Sequence, residues 1–174
     1  MGEHDPPIPN DHARLPDRDS PGDPTLNDAA SADAGRVVPR LEDFPHKTTI
    51  TMRLRDLDHQ NHVNNVVYGV YFETSRVSMM RDIFGSLSFG NAGFVVGRLE
   101  INFVRELHWP GDVVATCGVE RIGTRSVVYA QAVFHEGVCA AHGRTTMVLV
   151  DKNTRRSTPL TPDIIERLKT MQMR

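Results

Sequence analysis

Residues 55–76, RDLDHQNHVNNVVYGVYFETSR, place Asp56, Asp58, His59, Asn61, His62, Asn64 and Asn65 within ten positions and then turn apolar at helical spacing. Three chemistries fit such a cluster. A carboxylate beside a helix start can act as general base or nucleophile on a carbonyl. The run D-x-D-H-x-x-H, from Asp56 to His62, offers metal ligands. Asp and Asn are also the usual residues of turns and N-caps. Asn61 and Asn64 both suit an N-cap, so the first helical N–H groups, that of Asn65 included, lie beside the polar loop without intrahelical partners. Those donors and the positive end of the helix dipole would stabilise an oxyanion on an ester or thioester carbonyl. Asp58 precedes them on a loop that must double back, from where it can attack the same carbonyl or hold a water for attack.

The neighbours have two readings each. Asp56 orients the turn or meets Arg53 or Arg55, and His59 is expected to be exposed. His62 either polarises substrate or fixes Asp58, or is a packed, hydrogen-bonded histidine. Tyr68 and Tyr71 read as core or subunit-interface aromatics. Glu73 sits mid-helix, paired with Arg76 or facing substrate as an acid. Metal sites draw ligands from several elements, and His108, His135 and His142 show no paired spacing, so no metal is expected. Nucleophile-elbow, phosphate-loop and dinucleotide patterns are absent.

The elements that must position this loop follow from periodicity. HKTTITMRLR alternates, with Ile50, Met52 and Leu54 on one face of a half-buried strand. Residues 65–84 carry Val66, Val70, Thr74, Val77 and Phe84 near helical spacing with no proline, which predicts one helix of about 30 Å. GRLEINFVR, VVATCGVERI, RSVVYAQAVFH and CAAHGRTTMVLVD follow at hairpin spacing and predict an antiparallel sheet. TPDIIERLK closes as a short helix capped by Thr161. One long helix among five strands shares its core with the sheet most economically if the sheet curves around it. Open edge strands invite a second copy, so a homodimer or homotetramer is expected.

Eight of the 11 prolines and ten acids against four arginines fall in residues 1–45, which predicts a disordered acidic tail ahead of a domain at 46–174. The net charge of -2 is thus uneven, and the mild basic excess after Pro45 suits a polyanionic small molecule but is too weak for nucleic acid. No membrane span is expected, and the N-terminus carries charges where a leader needs an apolar run, so the expected place is the cytoplasm. Cys117 and Cys139 read as buried free thiols.

Asp56, Asp58, His62, Val63, Asn64, Asn65, Tyr68, Tyr71, Glu73 and Arg76 together resemble the motif of the hotdog-fold thioesterases, the 4-hydroxybenzoyl-CoA and acyl-CoA thioesterase group, D-x-D-x-x-G-H-V-N-N-x-x-Y-x-x-Y-x-E-x-x-R. The resemblance extends over about residues 46–160, with RLEINFVRELHWPGDVV and HGRTTMVLVDKNTRRSTPL as further similar segments. It implies an α+β hotdog fold, a curved antiparallel sheet of about five strands around one long helix. It also implies hydrolysis of an acyl-CoA or acyl-carrier-protein thioester without a cofactor. By the same resemblance Asp58 is the catalytic carboxylate and the Asn65 amide the carbonyl donor, while His62 and Asn64 are accessory. Glu73 is the rival of Asp58, because another hotdog branch uses a helix carboxylate. Asn61 stands where many members have Gly, and Asn tolerates the left-handed conformation such a turn needs. An acyl-CoA-binding hotdog without catalysis is the alternative, and a hydratase of the same fold lacks its expected motif.

Overall fold

The computed structural model describes residues 38–173. Strand β1, His46–Thr51, alternates as expected and ends beside Met52, which is buried. Leu54 does not join Ile50 and Met52 inside. A 3-10 turn at Leu54–Asp56 breaks the alternation and leaves Leu54 65% exposed. Helix α1, Asn65–Phe84, has the predicted bounds. Asn64 caps its start, the side-chain oxygen accepting from the Val66 N–H at 3.0 Å. Gly85 closes it in the left-handed conformation (φ 69°), its N–H donating to the Arg81 carbonyl at 2.7 Å.

The buried stripe of α1 differs from the predicted one. Tyr68, Tyr71, Phe72, Ser75, Arg76, Met79 and Met80 face the sheet, whereas Val66 is 76% and Val70 43% exposed. The helix is apolar on two sides, and the bulky side, not the β-branched one, fills the hollow of the sheet.

Strands β2 (Ala92–Phe103), β3 (Asp112–Ile122), β4 (Ser126–His135) and β5 (Val138–Asp151) complete an all-antiparallel sheet in the order β1-β3-β4-β5-β2. The β3–β4 and β4–β5 hairpins are as expected, the latter turning through Glu136 (φ 50°) and Gly137 (φ 77°). β2 and β3 do not form a hairpin. β2 lies on the far edge against β5, and β3 takes β1 as its neighbour. The connection between them is drawn into the core by Leu107, which is 1% exposed, and its carbonyl accepts from Val63 N–H at 2.8 Å.

Alternation sends Val113, Ala115, Cys117 and Val119 of β3 and Val127, Tyr129 and Val133 of β4 into one core with α1. Gln131 bridges the layers inside it. Its amide donates to the Phe72 carbonyl (2.6 Å) and Ser75 Oγ (3.1 Å), and its oxygen accepts from Thr145 Oγ1 (2.6 Å). On the outer sheet face Phe44 packs edge-on to Phe134, with Ala132, Cys139, Val38, Leu41 and Met173 around them. The tail expected over residues 1–45 therefore has its last eight residues, 38–45, packed on the sheet, and its first 37 lie outside the described residues. Helix α2, Pro162–Lys169, is capped by Thr161 and buries Ile164 and Leu168. Cys117 and Cys139 are free and buried. Among the described residues no helix is long and apolar enough to cross a membrane.

Candidate active site

The polar loop is a closed turn hung between two anchors. Asp56, 4% exposed, accepts from the Arg53 backbone N–H (2.9 Å) and pairs with the Arg53 guanidinium (3.3 Å), while its carbonyl accepts from Asn64 N–H (2.9 Å). Asp56 is thus the turn-orienting residue expected from its position. Between the anchors, Asp58 N–H donates to the His62 carbonyl (2.9 Å) and Asn61 N–H to the Asp58 carbonyl (3.1 Å), with Asn61 left-handed at φ 60°. The turn survives on Asn, which tolerates this conformation better than other non-glycine residues.

Asp58 Oδ1 accepts from Gln60 N–H (2.8 Å) and His62 N–H (3.4 Å), which holds the side chain in place. Oδ2 has no hydrogen-bond partner among the described residues. Asn64 spends its side chain on Val66 N–H and its carbonyl on Val67 N–H (2.8 Å). The Asn65 N–H, between them in sequence, is left without a hydrogen bond among the described residues. Asp58 and Asn65 line one cavity of about 230 Å³ with His62, Tyr68, Phe103 and Arg105.

Among the five site residues expected from sequence, the structure brings together Asp58, His62 and Asn65. Asn64 stands beside them as the helix cap. Glu73 is exposed and eight residues along α1, about 12 Å from Asn65 at 1.5 Å per residue. It lines a different cavity of about 200 Å³ with Arg76, Val77, Met80, Phe94 and Val96. Glu73 makes no ion pair with Arg76 among the described residues; Arg76, 5% exposed, donates to Thr145 Oγ1 at 3.4 Å. Its Nε is buried without a partner, and burial lowers its proton affinity.

Tyr68 and Tyr71 are core residues, 2% and 1% exposed. Burial pushes both phenols up to about 12; the Glu106 charge adds to the rise at Tyr68 and the Asp56 charge at Tyr71, so neither is a ready proton donor near neutrality. The metal reading of the sequence does not assemble as written, because Asp56 is committed to Arg53.

Glu106 is not singled out by the sequence, and His108 is set aside there for want of paired spacing. Glu106 Oε2 lies 3.3 Å from His62 Nε2 and 3.5 Å from His108 Nε2, and the two imidazoles meet edge to face at 5.0 Å. The alternation Glu106-Leu107-His108, with Leu107 inward, was the available signal. On the strands Arg98 and Arg144 are tied to Glu100 and Glu120 at 2.7 Å, and in the β3–β4 turn Arg125 donates to the Ser157 carbonyl at 2.8 Å. Arg105 borders the cavity instead.

A curved antiparallel sheet around one long helix is the hotdog arrangement. The chain belongs to the thioesterase-like superfamily, whose family model matches residues 52–168, and its class is that of a thioester hydrolase. The long-chain acyl-CoA thioesterase FadM of Escherichia coli K12 is 27% identical over 129 residues, covering 72% of this chain and 98% of its own. The thioesterase of Thermus thermophilus solved with coenzyme A and Zn is 30% identical, with a TM-score of 0.69 over 76% of this chain and 97% of that one. A "predicted thioesterase" of Bacillus stearothermophilus, also 30% identical, has a TM-score of 0.70 over 74% of this chain and 97% of that one.

Proposed function

We propose that the chain is a cytoplasmic acyl-CoA thioesterase that hydrolyses its substrate to free acid and coenzyme A thiol. The observation that carries this reading is the shared cavity of Asp58 and the unpaired Asn65 N–H. The thioester carbonyl oxygen sits on the Asn65 N–H, and the negative charge it gains on attack is stabilised there and by the α1 dipole. Asp58 either takes a proton from the attacking water, or attacks the carbonyl carbon itself to form an acyl anhydride that water then hydrolyses to the free acid; in both the C–S bond breaks and the thiolate leaves and is protonated. His62 lies on the same wall and is an accessory group; Asn64 acts by holding the first turn of α1. The hydrolysis needs no metal or redox group. Arg105, free of carboxylate partners among the described residues, is the cation at hand for a coenzyme A phosphate.

A second cavity between α1 and β2, lined by Val77, Met80, Phe94 and Val96, offers apolar walls for an acyl chain. The active unit is a homodimer or a pair of dimers. β2 is an edge strand with Val95, Val96, Leu99 and Phe103 between 45% and 52% exposed, and Val66 and Val70 of α1 are exposed as well, which is an apolar surface fit for a second copy. The test is thiol release from a panel of acyl-CoA and acyl-carrier-protein thioesters. Asp58→Asn is expected to lower kcat by at least about 100-fold. Full activity in that variant would remove Asp58 from the mechanism.

A further inference from the structure

We propose that His62, Glu106 and His108 form a three-ligand site for a divalent transition-metal ion of the zinc class at the rim of the cleft. One ligand atom from each lies within 4.8 Å of the others. A tetrahedral ion with bonds of 2.0–2.1 Å needs its ligand atoms about 3.4 Å apart. Two of the three separations already have that value, His62 Nε2 to Glu106 Oε2 at 3.3 Å and His108 Nε2 to Glu106 Oε2 at 3.5 Å. The third pair lies within 4.8 Å, and the side chain of His108 that must close it is 60% exposed.

The backbone prepares this arrangement. Leu107 is buried and anchors its segment through the bond from Val63 N–H, so the alternating neighbours Glu106 and His108 emerge on the side where His62 ends the polar loop. The left-handed Asn61 turns its carbonyl to His108 Nδ1 at 3.4 Å. In the tautomer whose Nδ1–H donates to this carbonyl, the lone pair of Nε2 faces Glu106 Oε2, where one cation can be bonded by both. A ring nitrogen donating to a backbone carbonyl while the other ligates is the usual outer support of a metal-bound histidine. Two imidazoles and one carboxylate favour zinc-like ions over magnesium or calcium, which prefer all-oxygen sites. The ligands come from two separate loops, which is why spacing along the chain concealed the set. The site shares His62 with the wall of the cleft, and metal binding is read out directly rather than through thioester hydrolysis.

The full-length protein, stripped by chelator and dialysed, is titrated with zinc chloride near neutral pH in competition with a chromophoric chelator. One zinc per chain is expected at this site. Glu106→Gln and His108→Ala should each weaken it about tenfold or more, equivalent to about 1.4 kcal/mol, while His59→Ala and His135→Ala should not. Magnesium chloride should not compete. Circular dichroism of each variant separates loss of ligands from loss of fold. Absence of zinc binding, equal affinity in folded Glu106→Gln and His108→Ala, or displacement by magnesium would each overturn the proposal.

Discussion

Asn64→Asp separates the structural from the catalytic importance of the first turn of α1. Asp caps a helix as well as Asn, so the bond to Val66 N–H at 3.0 Å is retained. The added negative charge at the helix N-terminus contributes about 0.3–1 kcal/mol of stability, a rise in Tm of about 1–3 °C for a chain of this size. The rate should move the opposite way. From Asn64 Oδ1 to Val66 N, back to Asn65 N and on to an oxyanion about 3 Å from that amide, the new charge lies about 6 Å from the one developing on the substrate. At an effective dielectric constant of about 20 their repulsion is about 3 kcal/mol, which slows the chemical step about 100-fold. The assays are thermal unfolding followed by circular dichroism and kcat from thiol release. Asn64→Ala is the control, losing about 1 kcal/mol of stability with the cap. A stabilised Asn64→Asp enzyme with undiminished kcat would show that the oxyanion does not form at Asn65.

Glu73→Gln should retain kcat within about twofold, because Glu73 lines a cavity about 12 Å along α1 from the carbonyl site; a loss comparable to that of Asp58→Asn would reverse their roles. Gln131→Leu removes all three hydrogen bonds of a 1% exposed side chain and leaves the Thr145 hydroxyl without its acceptor, so urea unfolding should show a loss of about 1–3 kcal/mol. Burial holds the His46 imidazole below its ordinary 6.5, against the opposing pull of Asp82 at 3.5 Å. The unfolded chain then takes up the proton first, so this contribution to stability is intact above about pH 6.5 and is lost as pH falls toward the folded value. Urea midpoints of wild type should therefore fall more steeply on acidification than those of His46→Asn; parallel curves would contradict the assignment.

Local chemistry was legible in the chain. The N-cap, the bounds of α1, the alternation of the strands and the capped terminal helix depend on neighbours within a turn or two, and these the residue types declare. The carboxylate and the helix-start amide were legible for the same reason, being only seven residues apart. Three matters were not local. Helix α1 has two apolar stripes, and the one turned inward was decided by the volume of the sheet's hollow, which Tyr71 and Phe72 fill and Val66 and Val70 do not. β2 reads as half of a hairpin with β3, yet it pairs with β5 on the far edge, and the segment held by buried Leu107 carries the chain from there back to β3 beside β1. That crossing, in turn, delivers Glu106 and His108 to His62. Periodicity reports which face a side chain shares with its sequence neighbours; which faces then meet is settled by excluding water from the whole core at once, and only the folded chain does that.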